Sequence, residues 1–363
     1  MPDARWRQRF RRRLRHWYTV HARDLPWRRA GHPYAVWVSE IMLQQTQAAT
    51  VTAYFERFTR ELPTIEALAQ ADEQDVLRLW EGLGYYRRAR QLHRAAQVVM
   101  QQHAGELPRD PEQLRRLPGI GRYTAGAVLS IAFDMRVPIL EANTLRLFSR
   151  LLALADDPAV ASSQQLLWAM AEAVLPQRDV GAFNQALMEL GSEVCLVRNP
   201  RCDDCPVAPL CRANARGLQA EIPPPKPQRP AEAVREAAVL ICRRGRVLLM
   251  RCPEGQRWAG LWDFPRFPVR CTRPAALKRE LAEKARKLTA MTIEPGRHLT
   301  TIKHGVTRFR ITLEGYAAQY VAQLDGQADV AETKWLLPVE LDDYPLSTTG
   351  RKLSRLVAEA LRR

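Results

Sequence analysis

The stretch Cys195-Leu196-Val197-Arg198-Asn199-Pro200-Arg201-Cys202-Asp203-Asp204-Cys205-Pro206-Val207-Ala208-Pro209-Leu210-Cys211 sets four cysteines in the spacing C-x6-C-x2-C-x5-C within seventeen residues. Four thiolates so close in sequence can converge on one metal centre, and four is the number that an iron-sulfur cluster or a structural zinc requires. The run therefore reads as a metal-binding loop. Two distant CxxC pairs would mark a zinc ribbon, whereas here one ligand leads, a CxxC follows with Pro206 behind it, and a fourth closes a short loop. The ferredoxin spacing is different again. A helix-like run, 182–190, precedes the loop.

Outward from this loop, the composition favours an acidic partner. The 363 residues carry a formal charge of +16 with 46% apolar content, a globular chain long enough for two or three cores. A basic surface recruits polyanions and releases their counterions on binding. An acidic membrane surface would also suit that charge. No run of about 18 apolar residues spans a bilayer, however, and the N-terminus lacks the apolar core of a signal peptide. Cys242, Cys252 and Cys271 are scattered, which fits a reducing compartment without a disulfide framework. The expectation is a soluble, cytoplasmic protein. Residues 1–225 contain no lysine, the first being Lys226, so a lysine Schiff base is excluded from that half.

The chain divides at the proline-rich stretch 217–230, which favours an extended, semi-rigid connector and cannot continue a helix. Before it, Trp6, Phe10, Leu14 and Trp17 recur at helical spacing, and similar stripes return at Val76, Leu77, Leu79 and Trp80, at Ala125, Val128, Leu129 and Ala132, and at Leu166, Leu167 and Met170. The arginines between Arg5 and Arg15 then form the solvated face of a packed helix, or else contact phosphate. After the connector, 237–242 and 246–250 around a turn at Arg243-Arg244-Gly245 read as a β-hairpin. Further strands are expected at 308–313 and 334–337, and helices at 275–288 and 353–361. The fold expected is an all-α domain over 1–216 carrying the metal loop 195–211, a linker over 217–235, and an α/β domain over 236–363.

Leu117-Pro118-Gly119-Ile120-Gly121 lies between the helix-like 111–116 and 123–132. A tight turn through Gly119 and Gly121 that opens a helix leaves backbone N–H groups pointing outward, with the positive end of the helix dipole behind them. That is a phosphate cradle, gripping one DNA strand without reading sequence. The plainer reading is an interhelical turn.

The cysteine spacing resembles the cluster loop of the helix-hairpin-helix DNA glycosylases related to endonuclease III, which holds a [4Fe-4S] cluster. Together with the hairpin, Leu25-Pro26-Trp27-Arg28 and the segment 38–47, it resembles the MutY-type adenine DNA glycosylases over nearly all of 5–215 and, more faintly, over the C-terminal domain. That resemblance implies excision of adenine mispaired with 8-oxoguanine, or with guanine, in double-stranded DNA by a nucleoid-associated monomer.

Glu40 sits in an apolar helix that Pro33 can start, on a face shared with Val36 and Leu43, where desolvation raises its pKa. A carboxyl protonated near neutrality is a general acid, and adenine leaves poorly until a ring nitrogen is protonated. The resemblance gives Glu40 that role; a buried glutamate paired with an arginine is the alternative. The second carboxylate departs from the family pattern. The family places an aspartate followed by Gly-Asn where this chain has Glu141-Ala142-Asn143. Charge beside an oxocarbenium-like sugar is kept, with one extra methylene. Either the backbone retreats to compensate or activity is impaired, and Asn143 remains to hydrogen-bond the site.

Tyr123 stands where strand-nicking relatives carry their Schiff-base lysine, which with the lysine-free half implies hydrolysis by water and a monofunctional glycosylase. Its phenol either supports the carboxylates or fills the pocket wall. Arg23, Arg28 and Gln185 match family positions near the flipped adenine and its sugar, Gln185 having an amide able to read a base edge or to cap a helix. Gln44, Tyr85 and Arg87-Arg88-Ala89-Arg90 resemble the family's wedge and strand-grip residues, although Leu83-Gly84-Tyr85 also suits an ordinary turn.

The C-terminal half resembles a Nudix fold with 260–265 at its second strand. Its metal box is broken, because Lys284 follows Glu280 and Glu283 where a glutamate belongs, while Pro265 and Cys271 replace the upstream glycine and glutamate. A binding domain is expected rather than a nucleotide hydrolase. The family's 8-oxoguanine-reading loop falls on Val306-Thr307-Arg308 after His304, where Thr307 keeps a hydroxyl and the aromatic is lost. The competing reading for the whole chain is a non-catalytic iron-sulfur DNA-binding protein.

Overall fold

The computed structural model describes residues 1–225, 230–324 and 331–360; Lys226 and the rest of 226–229 in the connector, and Leu361 at the end of the last expected helix, lie outside the described residues. Residues 1–71 and 91–225 form one compact unit, and residues 72–90 join 230–360 in a second.

The first unit is helical throughout: α1 (Ala4–His21), α2 (Pro26–Arg29), α3 (Pro33–Leu43), α4 (Ala48–Glu61) and α5 (Ile65–Gln70) precede the excursion into the second unit, whose own helix is α6 (Glu73–Leu79). Then come α7 (Arg87–Gln102), α8 (Pro111–Arg116), α9 (Arg122–Phe133), α10 (Ala142–Leu152), α11 (Ala161–Val174), α12 (Val180–Glu193) and α13 (Arg212–Ala215). Asp3 caps α1 by accepting the Trp6 amide at 2.8 Å, and Phe10, Leu14 and Trp17 bury their stripe against Phe148, Met170 and Phe183. Arg5, Arg9, Arg12, Arg13 and Arg15 are exposed, while Arg11 reaches the carbonyls of Val174 and Ala173 at 2.8 and 3.0 Å and closes the C-terminus of α11. The arginine-rich opening is thus mainly a solvated helix face.

Pro33 starts α3, and every residue from Tyr34 to Met42 is buried. A helix apolar all round is a central one, and α3 packs on α4 and α9. Close approach elsewhere depends on a missing side chain: a Cβ on Gly191 of α12 would lie 2.7 Å from the Asn143 Cβ at the start of α10.

In the second unit β1 (Glu232–Arg243) and β2 (Arg246–Arg251) form the expected hairpin. Arg243 pairs with Arg246, so the turn contains only Arg244 and Gly245, both left-handed with φ of 48° and 74°, the two-residue geometry that matches strand twist. The strands β3 (Trp262–Asp263), β4 (Arg266–Pro268), β5 (Met291–Val306), β6 (Phe309–Gln323) and β7 (Thr333–Leu336) complete a mixed sheet in the order β3-β2-β1-β6-β5, with β4 beside β1 and β7 beside β2. The segment expected at the second strand supplies the third, and only two of its residues pair. Alternate residues of β1 enter opposite cores, Ala237, Val239 and Ile241 facing α14 (Pro274–Thr289), and Ala238 and Leu240 facing α15 (Thr348–Ala360).

Candidate active site

In the first unit a cleft of about 670 Å³ opens among α2, α3, α9, α10 and α12, within the size range of small-ligand sites. Glu40, Tyr123, Glu141, Asn143, Gln185, Arg23 and Arg28 all line it. The fold therefore gathers seven of the singled-out residues in one place. Gln44, Gly119 and Gly121 stand in the same unit but do not line the cleft.

Glu40 is only 4% exposed, and its Oε2 accepts the Tyr123 hydroxyl at 2.6 Å. Burial pushes its pKa to about 7; the Tyr123 hydrogen bond pulls downward, and the Glu141 charge pushes up again. Tyr123 is held by more than the carboxyl, since its hydroxyl also lies 3.3 Å from the Met188 sulfur. Burial and the two carboxylates raise the phenol well above its ordinary value, so it stays a donor.

Glu141 is the N-cap of α10. Its Oε2 accepts the Asn143 amide and its Oε1 the Thr144 amide, each at 2.8 Å, while Thr144 Oγ1 accepts the Glu141 amide at 2.9 Å. This reciprocal cap satisfies helix-terminal donors and sets the carboxylate at the positive end of the dipole. Burial raises its pKa against those amide donors. The two carboxylates thus differ in what holds them, a hydroxyl for one and backbone amides for the other. Asn143 directs its Oδ1 to Arg146 Nη2 at 2.9 Å, and Arg146 continues to the carbonyls of Gly191 and Cys195 at 2.6 and 2.7 Å. Asp134, the other carboxylate near α9, accepts the Asp179 and Gly181 amides and closes the start of α12 instead.

Arg23 and Arg28 line the cleft with their guanidinium groups committed to a residue that sequence reasoning passed over. Glu189, 1% exposed, accepts Arg23 Nε and Nη2 at 2.8 and 2.9 Å, the Arg23 amide at 2.9 Å and Arg28 Nη2 at 2.8 Å. Burial alone would raise its carboxyl, but the Arg23 and Arg28 hydrogen bonds prevail and hold it at about 2. Arg23 also meets Glu193 at 2.7 Å. The available signal was spacing: Glu189 follows Gln185 by one helical turn on α12. Gln185 Oε1 is 3.5 Å from the Tyr18 hydroxyl.

The turn before α9 has the expected form. Gly119 is left-handed at φ +79°, and a Cβ there would press on Gln91 at 2.9 Å. Gly121 is the N-cap with no side-chain partner for the first amides of α9, and open space lies beside it. Gln44 turns its amide to Thr124 Oγ1 at 3.3 Å, while its neighbour Gln45 is exposed, left-handed at φ +57° and lines the cleft.

The four cysteines of 195–211 are free thiols around one cavity. Buried Arg150 donates to the Cys195 sulfur at 3.2 Å, and the Cys211 thiol lies 3.4 Å from the Arg150 carbonyl. Burial, then neighbouring thiolates against a Val207 hydrogen bond, push Cys205 to about 12; Cys202 and Cys211 are also raised by burial. Sulfurs so raised ionise together only when a cationic centre joins them, so Cys202, Cys205 and Cys211, with Cys195 on the same cavity, fit a thiolate-held group. Among the described residues no three His, Cys, Asp or Glu side chains are set to hold a single metal ion.

In the second unit Tyr85 is 51% exposed and left-handed at φ +49°. Of the basic run beside it only Arg87 is exposed. Arg88, expected at phosphate, is buried, lies over the Trp80 and Tyr85 rings at 5.4 and 5.5 Å, and has its pKa lowered to about 10 by burial. Arg90 pairs with Glu254 at 3.6 Å. Thr307 sits at the tip of the β5-β6 turn, exposed and left-handed at φ +51°, its hydroxyl donating to the Val306 carbonyl at 2.7 Å. Phe309 follows that turn and opens β6, with Arg257 and Arg308 each 5.0 Å from its ring. Lys284 pairs with Glu280 at 2.8 Å, and Glu280 also accepts the Cys271 amide at 2.9 Å. Burial pushes Glu280 upward, yet those bonds hold it at about 2.

Residues 38–173 match the HhH-GPD superfamily of base excision DNA repair proteins, and residues 236–356 match the NUDIX domain. Rat adenine DNA glycosylase is 33% identical, the alignment covering 96% of this chain and 78% of the relative. The human adenine DNA glycosylase is 34% identical over 96% and 73%. Among solved structures, a thermostable thymine-DNA glycosylase superposes with a TM-score of 0.54 at 27% identity, covering 58% of this chain and 98% of that one.

Proposed function

The chain belongs to the adenine DNA glycosylases, N-glycosylases of base excision repair, and from that premise we propose that it hydrolyses the glycosidic bond of adenine opposite 8-oxoguanine or guanine in duplex DNA, leaving the strand intact. The observation that carries this reading is the buried Glu40 carboxyl with its 2.6 Å Tyr123 bond, sharing one cleft with the differently held Glu141.

Glu40, with a pKa of about 7, is part protonated at neutral pH and delivers its proton to a ring nitrogen of adenine. Tyr123 then steadies the carboxylate that remains. Glu141, fixed on the α10 amides, supplies negative charge to the oxocarbenium-like sugar as the base departs. Asn143 sits beside it, and Gln185 presents an amide to the cleft for a base edge. Arg23 and Arg28 act here by holding Glu189 and shaping the wall. Water completes the reaction, because residues 1–225 offer no lysine for a Schiff base.

The amides after Gly119 and Gly121 hold a phosphate, Tyr85 and Gln44 meet the disturbed stack, and the Thr307 turn faces the opposite base. Cys195, Cys202, Cys205 and Cys211, which line one cavity, would hold a [4Fe-4S] cluster. When bound, that cluster ties the loop 195–211 together and couples its folding to metal. The protein acts as a monomer on nucleoid DNA, with a glycosylase domain over 1–216, a linker over 217–235 and a recognition domain over 236–363. Among the described residues no helix is long and apolar enough to cross a membrane.

The test is a gel assay on an 8-oxoguanine:adenine duplex, with and without alkali. Breakage only after alkali is expected; no adenine loss would overturn the reading.

A further inference from the structure

We propose that Arg351 is a positioning residue for Tyr85, acting through Glu81, so that the sheet domain itself holds the side chain that meets the DNA stack. The inference rests on the reading of Tyr85 as a DNA-contacting ring.

Tyr85 needs holding. A bulky residue in the left-handed region is strained, and such a conformation persists only where the surroundings over-determine it. Its immediate supports are internal to the turn. The Gly84 carbonyl accepts Trp80 Nε1 and Arg88 Nη2, both at 3.1 Å, and the Gly82 amide donates to the Tyr86 hydroxyl at 3.1 Å. Arg88 stacks over the Tyr85 ring from within.

Glu81, between Trp80 and Gly82, fastens that turn to residues about 270 positions away in sequence. Its carboxylate accepts Arg351 Nε at 2.7 Å, Arg351 Nη2 at 2.9 Å and the Leu346 amide at 3.1 Å. The Tyr86 hydroxyl reaches the Leu346 carbonyl at 3.5 Å. Arg351 is itself immobilised, giving Nη1 to the Leu341 carbonyl and Asp342 at 2.8 and 2.7 Å and Nη2 to the Tyr344 carbonyl at 2.8 Å. The two side chains are only 15% and 17% exposed, so the fork is little screened and sterically fixed. A second anchor lies earlier on the segment, where Gln74 Oε1 accepts Trp262 Nε1 at 2.9 Å. Glu81, Arg351 and Tyr85 belong to the second unit, whereas Glu40 and Glu141 belong to the first.

The pair therefore governs where the Tyr85 ring stands without entering the chemistry. The experiment uses the full chain with Arg351→Gln, Arg351→Lys, Glu81→Gln, Tyr85→Ala and the Arg351→Gln/Tyr85→Ala double variant. Affinity for an 8-oxoguanine:adenine duplex and the single-turnover rate at saturating protein are both measured. Arg351→Gln is expected to weaken Kd about tenfold, Arg351→Lys to recover part of that, and the double variant to bind no worse than Tyr85→Ala alone. In the Arg351→Gln, Arg351→Lys and Glu81→Gln variants the saturating rate stays within about twofold, since the carboxylates are untouched. Additive losses in the double variant, or an unchanged Kd in all three pair variants, would overturn the coupling while leaving excision by the unchanged chain intact. An unchanged chain that excises nothing overturns the functional reading instead, and the coupling is then still decided by the Kd comparison.

Discussion

Tyr123 donates its hydroxyl to the Glu40 carboxyl across 2.6 Å, joining α9 to α3 at the floor of the cleft. That bond favours the ionised acid, whereas burial favours the neutral one, and burial prevails to place the pKa at about 7. The donor form is therefore present below that value and is lost as pH rises through it. The single-turnover rate of excision should fall about tenfold per pH unit on the alkaline side. Tyr123→Phe removes the downward pull, so its alkaline limb should move to higher pH. A limb that stayed in place would show that another group titrates.

Glu40→Gln should keep duplex binding and lose about two to four orders of magnitude in excision. Its stability should change in the opposite sense. A carboxyl raised from 4.5 to about 7 stabilises the fold fully below its unfolded value and loses that contribution as pH climbs through 7. Glu40→Gln should therefore melt above the unchanged chain at pH 8, by up to about 3 kcal/mol, and the two should converge near pH 4. Thermal melts at both pH values decide it.

How much of this was legible depended on how local each signal was. Glu40 in an apolar run, the Gly119-Ile120-Gly121 turn and the cysteine spacing are short-range patterns, and the fold set each on the expected kind of element. Glu189 left only its spacing from Gln185 as a local signal, because the Arg23 and Arg28 that give it meaning lie more than 160 residues away. The inward turn of Arg88 depends likewise on the Trp80 ring beneath it. The membership of 72–90 in the second unit needed the pairing of Glu81 with Arg351. The strand β5 escaped notice because most of its residues are half-buried or exposed, leaving no clean apolar alternation.

Glu141→Asp separates capping from catalysis. Aspartate is the better N-cap, so the melting temperature should hold or rise. Its carboxylate falls about 1.5 Å short of the present position, however, and misplacement on that scale should slow excision by about tenfold to a hundredfold. Glu141→Gln should be slower still through loss of charge. Faster excision by Glu141→Asp would mark the glutamate as an impairment.

The cysteine loop should yield a brown protein containing iron. Cys202→Ser should lower both iron content and melting temperature, because metal binding is coupled to folding of the loop. A colourless, fully active protein with one zinc per chain would contradict the cluster.

The clamp on Glu189 gives the last expectation. Its carboxylate is nearly inaccessible and accepts from Arg23 and Arg28 together, so removing the charge leaves Arg28 without its carboxylate partner and Arg23 with Glu193 alone. Glu189→Gln should cost about 3 to 5 kcal/mol, the range for breaking a buried pair on one side. The clamp also carries a pH signature of the opposite sign to that of Glu40. A carboxyl held at about 2 stabilises the fold above its ordinary value and loses that contribution as pH falls through 2. Comparing melts at pH 7 and pH 3, the gap between the unchanged chain and Glu189→Gln should narrow at the lower pH. Equal gaps at both would mean that Glu189 is held by packing rather than by its charge.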